Sequence, residues 1–141
     1  MATLNTYLNF NGNTEEVFNF YKSVFGGEFL TLMRFKDTPG CEGMPDAEQN
    51  GIMHVALPIG KTSILMGTDV VSGMEQVKPG TNMSISISTD SEAEADQLFN
   101  GLAVGGNVQM PLQKMFWNAY YGMLTDKFGI QWMVNYDYNQ R

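Results

Sequence analysis

His54 is the only histidine in the 141 residues, and Cys41 is the only cysteine. These two types do most of the acid/base and nucleophilic chemistry that proteins perform near neutral pH. His54 falls in the apolar stretch Ile52 to Ile59, with Ile52 and Ala56 as its alternation partners. On a half-buried strand an imidazole is either fixed by structural hydrogen bonds or lines a pocket as binder, acid or base. Both readings stand, and His54 is the best catalytic candidate in the chain. Cys41 lies in Pro39-Gly40-Cys41-Glu42-Gly43, which reads as a loop. With no second cysteine there is neither a disulfide nor a CxxC motif, and the thiol reads as inert.

The carboxylates form no evident acid/base dyad. Glu15, Glu16, Glu92, Glu94 and Asp96 occupy expected first helical turns, where the helix dipole accounts for them. Asp69 and Asp126 adjoin turn-forming residues. Asp37, Glu42, Asp46 and Glu48 lie in a long polar loop with the reach to enter a cleft. More suggestive is the closing segment, where Phe116, Trp117, Tyr120, Tyr121 and Trp132 are interleaved with Met110, Met115, Met123 and Met133. That set reads either as core plus a dimer contact or as a pocket that stacks on a flat or greasy ligand.

The elements that must position these groups follow from periodicity. Thr3 to Phe10 alternates, with Leu4, Leu8 and Phe10 on one side and Asn5, Tyr7 and Asn9 on the other. Asn13 with Glu16 predicts a capping box, and Val17, Phe20, Tyr21, Val24 and Phe25 then recur at helical spacing up to Gly26-Gly27. Phe29 to Phe35, Ile52 to Ile59 and Thr62 to Thr68 read as strands. The segment 37–51 between them reads as a lid or a disordered excursion. After a linker at about 71–80 the pattern restarts. Asn82 to Ser88 alternates, Ser91 with Glu94 predicts a second capping box, and Ala95, Leu98, Phe99 and Leu102 repeat at helical spacing. Short strands are expected near Val108, at Tyr120 to Leu124 and at Ile130 to Tyr136. The second helix lies 78 residues after the first, both end in Gly-Gly, and three strands follow each. The chain therefore reads as one α+β domain of two βαβββ modules, about 1–70 and 81–141. Each sheet covers one face with its helix and turns the other into a curled, shared cleft.

At this point the chain resembles a known family. Tyr7-Leu8-Asn9-Phe10-Asn11-Gly12-Asn13, Glu16, Phe18-Asn19-Phe20-Tyr21 and Val24-Phe25-Gly26-Gly27 are similar to the opening of the PhnB-like branch of the vicinal-oxygen-chelate superfamily. Leu65-Met66 followed by Asp69 agrees, as do Trp117, Tyr121-Gly122, Asp126-Lys127-Phe128-Gly129 and Trp132. The superfamily, also called glyoxalase/bleomycin-resistance/extradiol-dioxygenase, includes glyoxalases, ring-cleaving dioxygenases, epimerases and drug-sequestering proteins. The resemblance implies a divalent metal held by His, Gln or Glu from the first and last strands of each module. Here those positions carry Asn5, Leu65 or Met66, Ser84 and Met133. A divalent metal wants carboxylate, imidazole or thiolate, so the metal site is expected to be absent. Some members of the branch carry a demethylubiquinone methyltransferase label. No strand–GxGxxG–helix unit for an adenosyl cofactor is seen, and no cofactor is expected.

The formal charge of −7 argues against nucleic acid and anionic membrane as partners. No apolar run is long enough to span a bilayer, and the start shows no signal-peptide pattern, so a cytoplasmic protein is expected. Exposed sheet edges and family habit favour a homodimer. The expected function is binding of a small organic molecule without the usual metal. Its pocket would be lined by Asn5, Tyr7, His54, Ser84, Trp117, Tyr121 and Met133, with Ser86 beside them. One alternative is a small-molecule lyase, isomerase or transferase using His54 or a loop carboxylate as base. Another is a structural or regulatory dimer with a filled cleft.

Overall fold

The computed structural model describes residues 1–139. The chain divides into two compact units, one ending at Lys78 and the other beginning at Pro79. The first contains β1 (Thr6–Phe10), α1 (Thr14–Phe25), β2 (Thr31–Arg34), α2 (Asp46–Gln49), β3 (Ile52–Ile59) and β4 (Ser63–Asp69). The second contains β5 (Ile85–Ser88), α3 (Glu92–Ala103), β6 (Asn107–Met115), β7 (Ala119–Thr125) and β8 (Gln131–Asp137). Each unit is one mixed four-stranded sheet, ordered β1-β4-β3-β2 and β5-β8-β7-β6. In both, the opening strand runs parallel to the last, and the other pairings are antiparallel. This is βαβββ twice over. The two helices start 78 residues apart and are 12 residues long each.

In the first unit, α1 buries Val17, Phe18 and Tyr21 against β3 and β4, where Val55, Leu57 and Leu65 complete the core. Phe18 lies against the backbone of β4 because position 67 is glycine. A Cβ there would sit 2.5 Å from Phe18 Cε1. In the second unit, α3 buries Ala95, Phe99 and Leu102 over Leu124, Trp132 and Val134. Gly122 repeats the device, since a Cβ there would sit 2.8 Å from Phe99 Cε2. Each large apolar side chain buried this way contributes about 1.5–3 kcal/mol.

The helix starts differ from expectation in one case. Ser91 accepts from the Glu94 N–H, while Glu94 reaches back to the Asp90 N–H, so α3 is capped by its own sequence. Asn13 makes no side-chain cap to α1. The Thr14 N–H instead donates to Asp69 Oδ1 at 2.9 Å, and Asp69 Oδ2 accepts from the Ile52 N–H at 2.8 Å. The carboxylate at the end of β4 thereby ties the start of the helix to the start of β3. Two strand ends are also shorter than their alternation suggested. Leu4 and Asn5 precede β1 and are exposed, although β4 extends two residues further, to Ser63. Ser84 likewise precedes β5. The segment 37–51 follows a short 3-10 turn at Phe35–Asp37 and holds the one-turn α2. β6 is longer than expected and crosses Pro111, which an edge strand tolerates. Its register slips on both sides of Met110.

Candidate functional site

Gly67 and Gly122 fix which face of each sheet meets its helix, and strict alternation then assigns the rest. On β4, Leu65, Gly67 and Asp69 point to the helix, so Met66 and Thr68 point away. Of the two residues considered at the inferred ligand position, Leu65 is 3% exposed and faces the helix, and Met66 lies on the helix-free face. Met66 pairs with Tyr7 on one side and Ala56 on the other, and His54 pairs with Met33. The helix-free face of the first sheet therefore carries Tyr7, Met66, His54 and Met33. The Tyr7 hydroxyl lies 3.1 Å from His54 Nδ1, with the two rings 5.7 Å apart. Whichever partner donates, this bond orients the imidazole through Nδ1 and does not engage Nε2. Asn5 sits just before the strand that carries Tyr7, outside the ladder.

In the second sheet, Tyr121 pairs with Asn135, Met123 with Met133, and Met133 with Ser86. All alternate with helix-facing residues and so lie on the helix-free face. Trp117, at the tip of the β6–β7 hairpin, makes an edge contact with Tyr121 at 5.9 Å and with Phe116 at 4.9 Å. The three-residue tip Phe116-Trp117-Asn118 closes with Asn118 at a φ of 64°, the left-handed position this hairpin class requires. Trp117 remains 46% exposed. Of the residues expected to line a pocket, Tyr121, Trp117 and Met133 thus share one face, with Ser84 just before the strand that carries Ser86.

The rest of the aromatic set has structural work. Trp132 is 2% exposed, and its indole N–H donates to Asp126 Oδ2 at 2.8 Å. Asp126 Oδ1 also accepts from the Phe128 and Ile130 N–H groups and so organises the turn into β8. Tyr120 points to the helix and donates to Asp96 on α3 at 2.6 Å, which pushes its pKa up to about 12. Desolvation first, and then the bond to Glu92, likewise raise Tyr138 to about 12. Glu15 and Arg34 form a bidentate pair at 2.7 and 2.9 Å, which lowers the Glu15 carboxyl below its ordinary value. Each of these groups joins a helix to a strand or a strand end.

A separate concavity of about 400 Å³ lies in the first unit, walled by Asn11, Glu48, Asn50, Asp69, Ser72 and Gln76, among others. None of the expected pocket residues lines it. Glu48 accepts from both the N–H and the hydroxyl of Ser72, and Asn11 exchanges two bonds with the backbone of Val77. These contacts fold the segment 70–77 back onto its own module. Sequence reading missed them because they join residues 24 to 66 positions apart.

The donor set can be tested against the divalent metal that the family resemblance implies. The relevant positions hold an amide at Asn5, a thioether at Met66, a hydroxyl at Ser84 and a thioether at Met133. None is a carboxylate, imidazole or thiolate, and the set does not fit Mn, Fe, Ni or Zn. Among the described residues no three His, Cys, Asp or Glu side chains come together in a metal-holding group.

Two mixed βαβββ sheets of this order define the glyoxalase, or vicinal-oxygen-chelate, fold. A glyoxalase-related enzyme from Fulvimarina pelagi has the same fold at 17% identity, with a TM-score of 0.64 over 97% of this chain and 89% of that one. Protein PA1353 from Pseudomonas aeruginosa is 41% identical, with a TM-score of 0.84 covering 97% of this chain and 98% of its own. A PhnB protein from Bacillus cereus is 28% identical, with a TM-score of 0.73 covering 96% and 99%. The model of the family described as 3-demethylubiquinone-9 3-methyltransferase matches residues 2–135, and the chain belongs to that family, the PhnB-like branch of the superfamily. No helix among the described residues is long and apolar enough to cross a membrane.

Proposed function

We propose that this protein binds a small organic molecule, flat or greasy in character, without a divalent metal. The observation that carries the reading is the helix-free face of the second sheet, where Trp117, Tyr121 and Met133 gather beside Ser86 and Asn135. An aromatic and thioether surface attracts an apolar ring, and a few neutral hydrogen-bonding groups at its side give direction. Ser84 would add to such polar contacts from the end of its strand. The family's descriptive name refers to methyl transfer. The sequence has no dinucleotide-type glycine motif for an adenosyl cofactor, so binding is the better-supported reading.

The test uses the two tryptophans. Trp117 is exposed and Trp132 is buried. Titration of planar aromatic compounds into the full chain in the presence of a chelator should quench Trp117 emission. Trp117→Phe should remove the quenching and weaken binding by about tenfold, the effect of losing one well-placed aromatic contact. Quenching that requires an added divalent ion would overturn the reading.

A second reading is favoured by the Tyr7–His54 contact. An imidazole held through Nδ1 by a phenol on a helix-free face has the arrangement of a general acid or base in a lyase, isomerase or transferase. If this is the function, His54→Ala abolishes turnover of the substrate and Tyr7→Phe shifts its pH profile. If binding alone is the function, both variants retain the ligand.

A further inference from the structure

The strand register sets three methionines side by side. Met110 on β6 pairs with Met123 on β7, and Met123 pairs with Met133 on β8. All three stand on the helix-free face and are half-buried. Adjacent strands lie about 4.8 Å apart, so the outer two thioethers flank the middle one at a distance their flexible side chains can close. The neighbouring row on the β8 side of the ladder is Tyr121 and Asn135, and on the other side it is Thr125 and Gln131. Each of these is neutral. Ser86 ends the ladder on β5.

We propose that Met110, Met123 and Met133 form a thioether site for a soft monovalent cation, Cu(I) or its analogue Ag(I). Thioether sulfur is a soft donor that selects Cu(I) and offers little to hard or borderline divalent ions. The absence of a carboxylate or imidazole from the flanking rows removes the donors with which Zn, Mn or Mg would compete. A site of three neutral ligands keeps the ion's single positive charge on this face, and the chain's net charge of −7 offsets it. Tyr121 precedes Met123 by two residues on β7, and Trp117 packs against its ring. The site shares Met133 with the organic-ligand face proposed above, and it needs no organic ligand.

The full chain in the Cys41→Ser background removes the one thiol that would otherwise capture a soft ion. Anaerobic titration with Cu(I) in competition with a chromophoric Cu(I) chelator should show one equivalent bound. With methyl-labelled methionine, Ag(I) should shift the methyl signals of Met110, Met123 and Met133 together and leave Met33 and Met66 in place. Met123→Leu conserves volume and should leave the melting temperature nearly unchanged while lowering Cu(I) affinity by at least about tenfold. Absence of stoichiometric binding would overturn the proposal. So would unchanged affinity in Met123→Leu, or methyl shifts confined to Met33 and Met66 beside His54.

Discussion

Replacing Asp69 by alanine should destabilise the protein by about 3 kcal/mol. The carboxylate is 3% exposed and accepts one N–H from Thr14 and one from Ile52. Thr14 is fully buried and Ile52 is 1% exposed, so water cannot replace either bond. A buried donor left without a partner costs about 1–3 kcal/mol, and two such donors are created. The loss of the helix cap, typically about 1 kcal/mol, overlaps with the first of them. Asp69→Asn keeps the shape but offers one acceptor oxygen and turns an amide donor toward the other N–H, so it should restore at most one bond. Urea unfolding followed by far-ultraviolet circular dichroism measures both variants. The midpoint should fall with an unchanged slope, since the surface exposed on unfolding is the same. If both variants stay within about 0.5 kcal/mol of the parent, the assignment of Asp69 as the cap of α1 and anchor of β3 is wrong.

Gly67→Ala places a Cβ 2.5 Å from Phe18 Cε1 and should cost about 1–3 kcal/mol. Combined with Phe18→Leu, the penalty should be smaller than the sum of the two single changes, which a double-mutant cycle measures. The Tyr120 hydroxyl has its pKa raised to about 12 by its bond to Asp96. The folded state holds this proton after an unfolded tyrosine has lost it, near pH 10. The contribution is therefore full below about pH 10 and is lost as pH rises toward 12. Tyr120→Phe should flatten that part of an alkaline unfolding profile and lower stability near pH 7 by about 1 kcal/mol.

The helices were legible because their cues are local. Val17 and Tyr21 in α1, and Ala95, Phe99 and Leu102 in α3, recur at the spacing that puts them on one buried face. Ser91 and Glu94 cap α3 within four residues of each other. The cap of α1 was not legible, because Asp69 is 55 positions away and Asn13 offered a plausible local substitute. Leu65 and Met66 are both apolar, so only pairing with Tyr7 and burial against the helix decide which faces away. Trp117 and Trp132 look alike in sequence, yet the Asp126 contact commits Trp132 to the core while Trp117 stays at a hairpin tip. The ladder of Met110, Met123 and Met133 depends on two register slips in β6, which no local pattern announces.

Native mass spectrometry of the full chain, isolated from its own cells without added metal, separates a metal-free binding protein from a metal-dependent one. The spectrum should show a population carrying one small organic molecule and no stoichiometric Mn, Fe, Ni or Zn. Loss of the organic adduct in Trp117→Phe should accompany it. One divalent ion per chain that survives chelator treatment would refute metal-free binding, because it would require donors that Asn5, Met66, Ser84 and Met133 do not supply.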